Sequence, residues 1–78
     1  MINPRNIQPE KSLYVIGATI ISVLKESNDN EISPEEIYEK FSIVYPIKIS
    51  YNYFIYSLDW LYIINLIDLE KNKIKKCF

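Results

Sequence analysis

Seventy-eight residues carry nine Lys and Arg against ten Asp and Glu, a net charge of −1. That is one small domain with no overall basic surface for a nucleic-acid backbone. There is no histidine and only one glycine, which removes the commonest general base and metal ligand and any glycine-rich phosphate loop. No catalytic, metal-binding or cofactor residues are therefore assigned, and the chain reads as a non-enzyme. Yet 49% of the residues are hydrophobic and 14% aromatic. A domain of this size buries only about 60% of the surface its unfolded chain exposes, so some apolar surface should remain for a partner.

From Met1 to Ser12 the chain has no apolar run and carries Pro4 and Pro9. No secretory signal is expected there. Residues 1–9 read as an extended arm pinned by Ile2 and Ile7. The first helix is expected from Pro9 or Glu10 to Lys25, with Leu13, Ile16, Gly17, Ile20 and Leu24 on one face. Pro9 suits a first-turn position and Glu10 suits the positive end of the helix. Gly17 inside a helix costs about 1 kcal/mol relative to Ala, which close approach of another helix would explain. The apolar stretch Leu13 to Leu24 is too short for a membrane span, which needs about 20 residues. Ser27-Asn28-Asp29-Asn30 is a turn.

Ser33-Pro34-Glu35-Glu36 opens the second helix as a capping box with proline at the first helical position. Ile37, Phe41 and Val44 should line its inner side, and Pro46 should end it near Val44. Ser50 caps a third helix running to about Asn65. Ile67 to Glu70 alternates like a strand. Lys71-Asn72 is a two-residue turn, and Lys73 to Cys77 returns, with Leu69 opposite Ile74, Asp68 opposite Lys75 and Glu70 opposite Lys73. Three helices and a C-terminal β-hairpin make a mainly α, winged-helix-like single domain. Cys77, the one cysteine, cannot form an internal disulfide and suits a reducing, cytoplasmic setting. It reads as a small residue on the final strand.

The third helix carries the functional signal. A nucleic-acid reader would present Arg, Lys, Asn or Gln there. This helix has no Lys or Arg, and its one charge is Asp59. Tyr51, Phe54, Ile55, Leu58, Leu61 and Tyr62 form one apolar face. Tyr53, Tyr56, Trp60, Ile63 and Ile64 form a second, with Asn52 and Asp59 between them. A helix apolar nearly all round must be buried nearly all round. The hairpin and arm could cover the second face; as the partner interface it would be anchored by Trp60. Replacing Trp60 by Ala is then expected to abolish partner binding while leaving the helices intact. Lys71, Lys73, Lys75 and Lys76 make a basic wing. They are either phosphate contacts or lysines that discourage edge association, and Asp68 and Glu70 opposite favour the second.

In three places the chain resembles the short middle components of bacterial ABC-three-component systems. These are Asn3-Pro4 through Ile7-Gln8-Pro9-Glu10-Lys11-Ser12-Leu13 to Ile16-Gly17-Ala18, the helix Phe54-Ile55-Tyr56-Ser57-Leu58-Asp59-Trp60-Leu61-Tyr62, and its exit Ile64-Asn65-Leu66-Ile67-Asp68-Leu69. The resemblance implies an adaptor subunit bridging an SMC-like or Rad50-like ATPase and an effector, often a nuclease, in anti-phage defence. The abundance of Ile, Asn, Lys and Tyr fits the coding bias of an AT-rich bacterial genome. A small DNA-binding winged-helix regulator and a self-associating homodimer are the alternatives.

Overall fold

The computed structural model describes residues 12–78. In it, helix α1 spans Leu13–Glu26. Ser12 is extended, and its Oγ accepts the Val15 amide at 3.1 Å. That cap starts the helix at Leu13, later than the Pro9 or Glu10 expected from proline and charge preferences. A serine hydroxyl that takes a first-turn amide fixes a non-helical residue in front of it. Pro9, Glu10 and the expected arm lie outside the described residues. Ile16, Ile20 and Leu24, four residues apart, are buried in the core.

A strand β1, Glu31–Ile32, precedes the second helix. Two residues are too few for any alternation to show in sequence. α2 is Pro34–Val44, with Ser33 Oγ accepting the Glu36 amide at 3.2 Å and Pro34 in the first turn. The Glu36 carboxylate stands 3.6 Å from Lys40, one turn on. Ile37 and Phe41 are buried. Val44 is not: it is exposed, contrary to its expected place in the core. The helix stops there, and Tyr45 in extended backbone turns inward to stack on Phe41 at 4.9 Å.

α3 is Tyr51–Ile63, capped by Ser50. It ends in a Schellman motif. Asn65 takes a left-handed φ of 66°, its amide bonds to Tyr62 O, and the Leu66 amide bonds to Leu61 O. This reversal sends Ile67 back into the core. β2, Ile67–Glu70, and β3, Lys73–Lys76, then form the hairpin. Lys71 and Asn72 both have positive φ, as a two-residue type I′ turn requires. The expected register holds at Leu69–Ile74, Asp68–Lys75 and Glu70–Lys73. β1 adds to the free side of β3, giving the order β1-β3-β2.

Rows cross this sheet by register. Ile32, Ile74 and Leu69 form one row, joining Ile67 in the core. Glu31, Lys75 and Asp68 form the adjacent, outer row. The helices close over the inner row with Phe54, Leu58 and Leu61. The result is a mainly helical winged-helix-like domain.

Candidate partner interface

α3 buries Phe54, Ser57, Leu58 and Leu61. Ser57 sits at one edge of this arc, and its hydroxyl donates to the Tyr53 carbonyl one turn back at 3.0 Å. A buried hydroxyl satisfied within its own helix costs little. The outward ridge is Asn52, Tyr56, Asp59 and Ile63, at helical spacing. It carries one negative charge and no positive one, a poor match to phosphate.

The two apolar faces expected from the sequence divide differently. On the first, Tyr51 and Tyr62 are exposed and Ile55 is half-buried. On the second, Tyr53 is half-buried and stacks with Tyr56 at 6.2 Å. Tyr56 is 59% exposed, Ile63 73%, and Ile64 is also exposed. Trp60 is half-buried, because its indole lies over Gly17 of α1. A Cβ on Gly17 would stand 2.8 Å from Trp60 Cζ3. The close approach expected at Gly17 is therefore made by the Trp60 ring. Trp60 belongs partly to the fold, so truncating it perturbs packing as well as any contact surface.

Beside Trp60 runs an apolar cleft of about 300 Å³ between α1 and the end of α3. Tyr14, Gly17, Ala18, Ile21, Ile64 and Leu66 line it with no charged side chain. A larger groove of about 520 Å³ lies on the other side of α1, bounded by Val44, Tyr45 and Pro46. Tyr14 and Ala18 border both. Sequence reading missed this α1 surface and the exposed Ile43 on α2, 81% accessible. The available signal was that Tyr14 and Ile43 fall off the buried periodicity of their helices.

The wing lysines are not equivalent. Lys75 pairs with Glu70 at 2.9 Å, and that hydrogen bond is the main cause raising its pKa. Lys76 donates to the Ser27 carbonyl. Lys71 and Lys73 stand exposed at the tip. With Glu31, Asp68 and Glu70 around Lys75, the outer sheet face is a mixed charge ladder, not a basic strip. Cys77 is a free, exposed thiol just beyond β3. Among the described residues no group of His, Cys, Asp or Glu is placed to hold a metal ion. No described helix is long and apolar enough to cross a membrane.

α2 and α3 are joined by an aromatic clamp. Tyr51 Oη donates to Glu35 Oε2 at 2.8 Å, Tyr38 meets Tyr51 edge-on at 5.1 Å, and Tyr38 Oη donates to the Ile49 carbonyl. The bond to Glu35 holds the Tyr51 phenol above its ordinary value near 10. Folding thus favours the protonated phenol. Its contribution is complete below about pH 10 and is lost as pH rises through the raised value. The stability gap between wild type and Tyr51→Phe, measured by urea unfolding, should be constant from pH 7 to 9. It should fall as pH rises above 10 toward the raised value; no gap at pH 7 contradicts the bond.

A short helical domain with a wing, a charge-mixed sheet and apolar clefts flanking α1 has the make-up of a binding module. The model of the family "ABC-three component (ABC-3C) system Middle Component 6" matches residues 2–77, and the chain belongs to that family. It is thus one component of a multi-protein system, with proteins as partners. Neither the curated proteins nor the solved structures gave a match.

Proposed function

We propose that this chain is a non-catalytic, cytoplasmic adaptor that bridges an SMC-like or Rad50-like ATPase and an effector in bacterial defence. Membership of the middle-component family supports a subunit role. The observation that carries the adaptor reading is the apolar surface along the outer side of α3 and at its C-terminal end. Tyr56, Ile63 and Ile64 are exposed there, beside the uncharged cleft that Trp60 lines. Large side chains of this kind anchor interfaces. Tyr53 supports Tyr56 by stacking, and Trp60 forms the cleft wall.

The test is co-expression of the chain with the products of its neighbouring genes, followed by purification on a tag. The ATPase and effector should co-purify with wild type. Ile63→Lys should reduce recovery at least tenfold while leaving the urea midpoint nearly unchanged. Ile63 contributes little to the core, and a cation suits the last turn of a helix. Full recovery with both Ile63→Lys and Tyr56→Ser would move the interface elsewhere.

A further inference from the structure

We propose that Asp68 keeps the open edge of β2 from pairing with a second copy of this chain. In the order β1-β3-β2, no described strand covers the outer side of β2. The two-residue turn makes Glu70 and Lys73 a hydrogen-bonded pair. The Cys77 amide bonds to the Leu66 carbonyl at 3.2 Å, in the same phase. Residues 66, 68 and 70 therefore spend their backbone groups on β3. Ile67 and Leu69 point theirs outward, as an edge strand does.

One of those outward donors is occupied. Asp68 Oδ1 accepts the Leu69 amide at 2.9 Å. The facing lysine does not compete for that carboxylate, because Lys75 Nζ turns to Glu70. The antiparallel register that best pairs two copies of β2 is centred on Asp68. It sets Ile67 of each copy against Leu69 of the other and forms two hydrogen-bonded pairs. In that register the two Asp68 residues face each other as a non-hydrogen-bonded pair, with Cα atoms about 4.5 Å apart. Like charges directly opposite destabilise a strand pair. Asp68 thus blocks the same event twice: it holds the amide that would donate, and it brings charge against charge.

The full chain, analysed by size-exclusion chromatography with light scattering over a hundredfold concentration range, provides the test. Asp68→Ala removes acceptor and charge and should raise the dimerisation constant at least tenfold. Exchange of the Leu69 amide should then slow with increasing concentration. Asp68→Asn keeps an acceptor and loses the charge, so it should give an intermediate rise, and it decides the matter should Asp68→Ala fail to fold. Glu39→Gln removes a charge of the same sign from the exposed side of α2 and leaves the Lys75–Glu70 pair intact, so it should leave self-association unchanged. Unchanged association in the Asp68 variants overturns the proposal. So does an equal rise with Glu39→Gln, or a dimer in which Leu69 exchange does not slow.

Discussion

Phe54→Ala is expected to cost about 4–6 kcal/mol, the largest loss from any single truncation in this domain. Removing a buried phenylalanine leaves a cavity costing about 3–5 kcal/mol. Phe54 is fully buried and sits in an aromatic cluster, with ring centroids 5.0 Å from Tyr38, 5.4 Å from Phe41 and 6.3 Å from Tyr51. Tilted and offset pairs of this kind add about 0.5–1.5 kcal/mol beyond burial. A chain of 78 residues has about 4–12 kcal/mol of stability to lose. The variant should therefore unfold at much lower urea or be largely unfolded in buffer, read by far-ultraviolet circular dichroism. Phe54→Leu retains most of the volume and should cost far less. A loss under about 2 kcal/mol for Phe54→Ala would mean that Phe54 is not the joint between α2 and α3. The contrast with Ile63→Lys, expected to change stability by less than about 0.5 kcal/mol, separates the face of α3 that folds from the face left open.

The elements legible in sequence were those with local chemical signals. Ser33-Pro34 fixed the start of α2, Pro46 its end, and Ser50 the start of α3. The hairpin register followed from two opposite-charge pairs and one apolar pair, all found as expected. Less legible were features decided by tertiary contact. β1 is two residues long and exists because the outer side of β3 was free to pair. Val44 and Tyr45 exchanged places because a stacked ring on Phe41 fills the core better than a valine at the last helical position. On α3 the apolar residues outnumber the buried ones, so periodicity alone could not rank them. Ser57 lies within the buried arc while Tyr62 and Ile63 lie outside it. The α1 clefts were invisible for the same reason: they are spaces between helices, and Tyr14 and Ala18 acquire a role only once α2 and α3 flank them.

The pair Gly17 and Trp60 should show a reversal of sign. In the wild-type chain Gly17→Ala gains about 1 kcal/mol of helix propensity. The new methyl, however, meets Trp60 Cζ3 at 2.8 Å, Cε3 at 3.2 Å and Leu61 Cδ2 at 3.3 Å. Overpacking of this kind costs about 1–3 kcal/mol, so the net change should be a loss of up to about 2 kcal/mol. Trp60→Ala alone should cost about 2 kcal/mol, roughly half the figure for a fully buried ring, because Trp60 is half-exposed. In the Trp60→Ala background only the Leu61 Cδ2 contact at 3.3 Å remains, at the end of a side chain with room to shift, and Gly17→Ala should then stabilise by up to about 1 kcal/mol. The cycle therefore predicts a coupling of about 1–3 kcal/mol between residues in direct contact. A second readout is independent of stability. Trp60 is the only tryptophan, so an indole pushed off α1 by the methyl that Gly17→Ala introduces should shift its emission to the red. Additive changes with no spectral shift would show that the ring does not rest on Gly17. The coupling also bears on binding: the ring that rests on Gly17 is one wall of the uncharged cleft. Gly17→Ala should thus reshape that wall while leaving Ile63 and Tyr56 in place. Partner recovery lost in Gly17→Ala but kept in Ile63→Lys would assign the contact to the cleft; the opposite pattern would assign it to the outer ridge of α3.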